Sequence, residues 1–143
     1  MKSTIARLTT IFIVGICLLT GCTHNNGDIG PFFGKWKLER MTVNSEEVAD
    51  YEGNIFWSYQ SSTISMTRVI DPTSSFITYG NWEVNEDYTV MHISFPDKIH
   101  APLPETYLLR ESTIDIIKIK GSEMILQYDS ASKGLITYYF VKW

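Results

Sequence analysis

From Phe32 to Trp143 the chain holds no long segment with the 3.6-residue period of a helix. Short runs rich in Val, Ile, Thr, Tyr, Phe and Trp recur instead between turn residues, the pattern of strands. A chain without amphipathic helices must bury its apolar faces sheet against sheet, or close one sheet on itself. The runs fall at 34–43, 54–60, 62–70, 75–84, 88–95, 112–120, 123–129 and 134–143. Their short connections predict an all-β fold, an up-and-down barrel or a sandwich.

Alternation supports the assignment on several runs. Ile55, Trp57 and Tyr59 share one face, as do Met124, Leu126 and Tyr128. The last run is apolar on both faces, so it is expected to pair on both sides or to have its outer face covered by the N-terminal tether. Asn44-Ser-Glu-Glu-Val predicts one helical turn, with Asn44 as N-cap and Glu47 three residues on. The proline-rich stretch Pro96 to Pro104 reads as a loop. Gly121-Ser122 and Ser130 to Lys133 read as hairpin turns.

Composition narrows the classes. A length of 143 residues allows one domain, or one domain with a targeting segment. Apolar residues at 44% and charged residues at 20% exclude bulk disorder. Two cysteines are too few for a disulfide scaffold. A formal charge of −4 gives no footprint for nucleic acid.

The first residues have a separate character. Lys2 and Arg7 precede the apolar stretch Ile11 to Leu19, with no acid among them. That stretch is shorter than the roughly 20 residues a spanning helix needs, and it fits a secretory signal. Leu19-Thr20-Gly21-Cys22 follows directly and resembles the lipobox of bacterial lipoproteins. The resemblance implies diacylglyceryl transfer to the Cys22 thiol, cleavage before Cys22, and acylation of the freed amine. The chain would then divide into a signal (1–21), a lipidated Cys22 with a polar tether (22–31), and one β domain (32–143). Cys17 leaves with the signal and Cys22 is capped, so no thiol remains for disulfide, thiolate or metal chemistry. The residue after Cys22 is Thr23 rather than Asp. By resemblance to the enterobacterial sorting pattern, this places the domain in the cell envelope, on the outer membrane and facing the periplasm.

Phe33-Gly34-Lys35-Trp36-Lys37-Leu38 resembles the Gly-x-Trp start of the lipocalin-type barrel, with Gly34 and Trp36 as its signature. Gly80-Asn81-Trp82-Glu83-Val84 repeats the pattern. Ile55 to Gln60 and Tyr138 to Trp143 look like the small lipocalin-like lipoproteins of Gram-negative bacteria. The resemblance implies a small antiparallel barrel of about eight strands, with the first-strand Trp plugging its closed end. Lipocalins set an Arg over that Trp from the last strand, where this chain offers Lys142. Their longer members add a helix, and here the last strand runs to Trp143. An interior filled with side chains is therefore one expectation beside a hollow cup.

Two arginines are candidate ligand contacts. Arg40 follows Trp36 and Leu38 at period two, and Arg68 follows Ile64 and Met66. Facing inward, either would place a cation at the cavity for a ligand carboxylate; facing outward, it would pair with a surface acid. Trp57, Tyr59, Tyr79 and Trp82 are candidate pocket aromatics or ordinary core. His92 is expected to face outward, and the spacing of His24, His92 and His100 predicts no metal site. Glu46-Glu47 and Glu86-Asp87 read as solvated charges, and no catalytic motif or cofactor loop is present. The expected function is binding rather than catalysis: a lipid-anchored barrel that takes a small apolar or amphipathic molecule. The alternative is a filled barrel that serves as an adaptor for a protein partner in an envelope complex.

Overall fold

The computed structural model describes residues 30–143. The expected signal, the expected lipidation site Cys22 and the expected tether up to residue 29 lie outside the described residues. Nine antiparallel strands follow: β1 (Gly34–Val43), β2 (Glu46–Glu47), β3 (Ile55–Gln60), β4 (Thr63–Asp71), β5 (Ser74–Val84), β6 (Val90–Ser94), β7 (Glu111–Lys120), β8 (Glu123–Ser130) and β9 (Gly134–Lys142). Each strand from β4 to β9 pairs with its predecessor, β3 pairs with β1, and β9 returns to β1. The result is a closed eight-strand barrel, with the short β2 as a ninth strand hung on β1. Strand β9 is thus paired on both sides, which accounts for its double-faced apolar sequence.

Asn44 to Val48 is not a helical turn. Asn44 and Ser45 both have positive φ, 52° and 71°, and Val43 pairs with Glu46 across a two-residue hairpin. The Asn44 carboxamide accepts from Leu135 N and donates to Lys133 O, so it ties β1 to the β8–β9 turn. Local capping chemistry loses here to cross-strand pairing. Gly134, at φ +90°, is the residue that makes room for it; a Cβ there would overlap the Asn44 carboxamide.

The interior is packed. Phe32 enters ahead of β1 and closes that end against Tyr59, Trp82 and Tyr88, with ring centroids 6.0, 5.7 and 5.9 Å away. The Trp36 indole donates to Phe32 O at 2.7 Å. Above it, Trp57 stacks at 4.8 Å on Phe140 and 5.5 Å on Tyr138. Trp36, Trp57, Tyr59 and Tyr138 are fully buried. Aromatic side chains fill the volume that a hollow cup would leave open.

The opposite end is covered by the connection from Phe95 to Arg110. A 3₁₀ turn at Pro104–Thr106 sits over the mouth, and the buried Tyr138 hydroxyl donates to Thr106 O at 2.5 Å. Leu103 and Leu108 bury beneath it. The Arg110 guanidinium gathers the carbonyls of Phe95, Asp97 and His100 at 2.6–3.0 Å. Thr78 on β5 exchanges hydrogen bonds with Ala101. Gly80 is required where the chain leaves β6, because a Cβ would lie 2.6 Å from Ser94 O.

Candidate functional site: a pocket at the open rim

The pocket forms where three segments meet: the β2–β3 connection, the end of β4, and the 3₁₀ turn over the mouth. Its volume is about 470 Å³. Tyr51 fixes the first segment, donating to Leu38 O at 2.5 Å and accepting from Ile55 N at 3.3 Å. Burial pushes the Tyr51 hydroxyl up to about 12, so it remains a neutral donor. Asn54 extends the β3–β4 ladder by exchanging bonds with Val69 through its backbone and its carboxamide. Met41, Val48 and Ile55 supply an apolar wall.

Across the pocket, Arg68 pairs with Glu105. Arg68 lies on the inner face of β4, two residues beyond Met66, which is the placement its period-two spacing predicts. Glu105 comes from the 3₁₀ turn, so this ion pair joins the barrel wall to the segment covering the mouth. The second carboxylate oxygen of Glu105 is buried without a protein partner. An apolar wall, a charged pair and an unmatched acceptor suit a molecule with an apolar body and a polar head.

The other arginine is elsewhere. The β1–β9 register shifts between Leu38 and Arg40, leaving Glu39 as a bulge residue. The extra residue inverts the parity of β1: Met41 turns inward and Arg40 turns out. Arg40 pairs there with Glu47 and lies 3.5 Å over the Tyr139 ring. Arg40 is therefore not a pocket residue. Tyr79 is not one either. Thr78, Gly80 and Trp82 take the inner face of β5, and Tyr79 stands half exposed outside, edge-on to His100. Trp57, Tyr59 and Trp82 lie in the packed interior, away from this pocket's lining, although Trp82 also borders a second depression on the barrel wall. Of the six candidate ligand contacts, Arg68 alone lines the pocket.

His92 faces outward, 2.9 Å from Glu111, and His100 pairs with Asp97 at 2.8 Å. The His100 hydrogen bond, helped by the amides of His100 and Ile99, brings the Asp97 carboxyl down to about 2. A second, more polar depression of about 620 Å³ is lined by Ser61, Ser62, Asn81, Glu83 and His92 among others. Among the described residues no group of three or more His, Cys, Asp or Glu is placed to hold a metal ion.

Sequence reasoning missed Tyr51, Asn54, Glu105 and Tyr107. All four lie in connections, where no strand period marks a facing side chain. The only signal was the clustering of polar and aromatic residues between 50 and 54.

No protein-family model matches the chain, and no curated protein matches it. Among solved structures it is similar to a lipocalin-like protein from Bacteroides uniformis, with a TM-score of 0.62 and 17% identity. That likeness covers 80% of this chain and 100% of the other. It is also similar to an uncharacterized protein from Bacteroides eggerthii, with a TM-score of 0.57 and 17% identity, over 78% and 99% of the two chains. The fold is that of a lipocalin-like β-barrel.

Proposed function

We propose that this chain is a non-catalytic binding protein, held at a membrane of the cell envelope by lipid on Cys22. Its ligand is a small amphipathic molecule taken at the rim pocket rather than in the filled barrel. The observation that carries this reading is the pocket of about 470 Å³ bounded by the Arg68–Glu105 pair and the apolar wall of Met41, Val48 and Ile55. A polar head would exchange with one member of the pair, and the apolar body would lie against the wall. The lipobox-like Leu19-Thr20-Gly21-Cys22 supports the anchor, and Thr23 after it supports an outer-membrane, periplasm-facing location. Two acyl chains or more on one residue make an anchor far more durable than one.

Native mass spectrometry of the protein purified from its own host tests the binding reading. A reproducible bound mass, lost in Arg68→Met and in Ile55→Trp, is expected. A bare mass across repeated preparations overturns it. A second reading, an adaptor for an envelope protein, draws on the filled interior and on the exposed Ile70, Phe76, Ile77 and Tyr79 of the β4–β5 hairpin. Crosslinking in the host that recovers no partner above background overturns that one.

A further inference from the structure

The outer wall formed by β3, β1, β9, β8 and β7 gathers lysines toward its closed end, while the exposed Glu39 lies between its rows and Asp115 and Asp129 lie nearer the open end. Register places Phe56, Lys37, Val141, Glu123 and Lys120 side by side across these five strands. The next row toward the open end reads Arg40, Tyr139, Ile125 and Lys118. Lys35 and Trp143 lie just below the first row, joined by the bond from Trp143 N to Lys35 O at 2.8 Å. All these side chains face outward, because Trp36, Leu38, Trp57, Met124 and Phe140 take the inner face. Glu123 is neutralised by Lys118, and Arg40 by Glu47. Lys35 and Lys37 thus stand beside apolar neighbours, and neither they nor Lys120 forms an ion pair among the described residues.

Trp143 lies at the closed-end edge of this wall. The residue is 69% exposed, and its ring meets Phe56 edge-on at 5.3 Å and lies 5.7 Å from the Lys37 ammonium. The Lys35 ammonium lies 4.5 Å over Phe56. An exposed indole flanked by lysines on long flexible stems suits a membrane interface, where the ring sits at headgroup depth and the amines reach phosphates. Glu86 and Asp87 occupy the β5–β6 turn, on the far side of the same barrel end. Their charges would be repelled from an anionic surface, which tilts the barrel onto the β1–β9 wall.

We infer that this wall docks on anionic phospholipid. One further relationship supports that occupant over a soluble acidic partner. The chain that leads back to Cys22 meets the barrel at this same end, at Gly34. Residues between Cys22 and Gly30 reach at most roughly 3.5 Å each. An anchored barrel is thereby held within a few tens of ångströms of the bilayer, with this end nearest to it. The inference rests on the proposed anchor for proximity, and on the wall itself for lipid contact.

The full chain, reconstituted with vesicles whose acyl chains are brominated, separates the two. Flotation reads attachment, and tryptophan quenching reads the wall, since Trp36, Trp57 and Trp82 are buried. Quenching is expected on phosphatidylglycerol and not on phosphatidylcholine. It should be lost in Trp143→Phe and in Lys35→Glu/Lys37→Glu, with near-UV circular dichroism confirming that the variants are folded. A chain that floats on phosphatidylglycerol with Trp143 unquenched overturns the docking surface alone. Equal quenching on both lipids overturns its electrostatic basis, and a chain that fails to float overturns both anchor and surface.

Discussion

The Lys142 ammonium lies 5.0 Å over the Trp36 ring, and the two residues are register partners across β9 and β1. This is the position at which lipocalins set an Arg over the first-strand Trp. The same cation–π geometry is met here by Lys, without the fork that would also bond backbone carbonyls. The indole below is fully buried and held by Phe32 O. The two residues should therefore matter unequally. Trp36→Ala is expected to cost about 3–5 kcal/mol, as for other large buried aromatics. Lys142→Ala should cost only about 0.5–1 kcal/mol, the worth of an exposed cation over a ring. Denaturant melts of both variants check the ratio.

Two buried tyrosines should respond in opposite directions to loss of a hydroxyl. The Tyr138 hydroxyl holds Thr106 O, so Tyr138→Phe leaves a buried carbonyl unmatched and should cost about 1–3 kcal/mol. Amide exchange should quicken around 104–107, the segment it holds down. The Tyr59 hydroxyl is buried with no protein partner. Tyr59→Phe removes that desolvation and should be neutral or stabilising by about 1 kcal/mol. A Tyr59→Phe variant with a clearly lower melting temperature would show that its hydroxyl is satisfied in solution.

Gly134→Ala should be costly for two reasons that a cycle can separate. Its φ of +90° disfavours a side chain, and the new Cβ meets the Asn44 carboxamide. Strain of this kind is worth about 1–3 kcal/mol. In Asn44→Ala the overlap is gone and the backbone term remains. The double mutant should then be more stable than the sum of the single losses predicts, by about 1 kcal/mol.

Acid should loosen the connection over the mouth before it unfolds the barrel. The Asp97 carboxyl is drawn from 3.8 to about 2 by its bonds to His100 and to backbone amides. A depressed folded value gives stability that is present above the unfolded value and lost as pH falls. The contribution should therefore fade between about pH 4 and 2. Carbon-detected carboxyl titration should show a midpoint near 2 for Asp97, and Asp97→Asn should remove that step.

Much of the fold was legible because strands advertise themselves by parity, and turns by Gly, Asn and Ser. Strands β7, β8 and β9 fall within one or two residues of their expected bounds. Parity failed where one inserted residue reset it. Arg40 reads as inward from Trp36 and Leu38, and only the pairing with β9 reveals Glu39 as the extra residue. Arg68 carries no such interruption after Met66, so its inward placement was readable. Tyr79 and Trp82 are three residues apart on one strand, so the pleat sets them on opposite faces, and aromatic character alone does not say which faces in. The pocket itself escaped because Tyr51, Glu105 and Tyr107 meet through chain reversals that no local period encodes.

The return of β9 to β1 also sets an order of events. The first strand of the barrel pairs along most of its length with the last one made, Trp36 with Lys142 and Val43 with Ile136. Such a ladder closes a loop of nearly the whole domain, the slowest kind of contact to form. Until β9 has been synthesised, β1 has only β2 and four residues of β3 to pair with, and its remaining edge stays open. A nascent chain of this protein therefore exposes a sticky strand for most of its synthesis. Anything that holds it extended in that interval guards it against pairing with its neighbours.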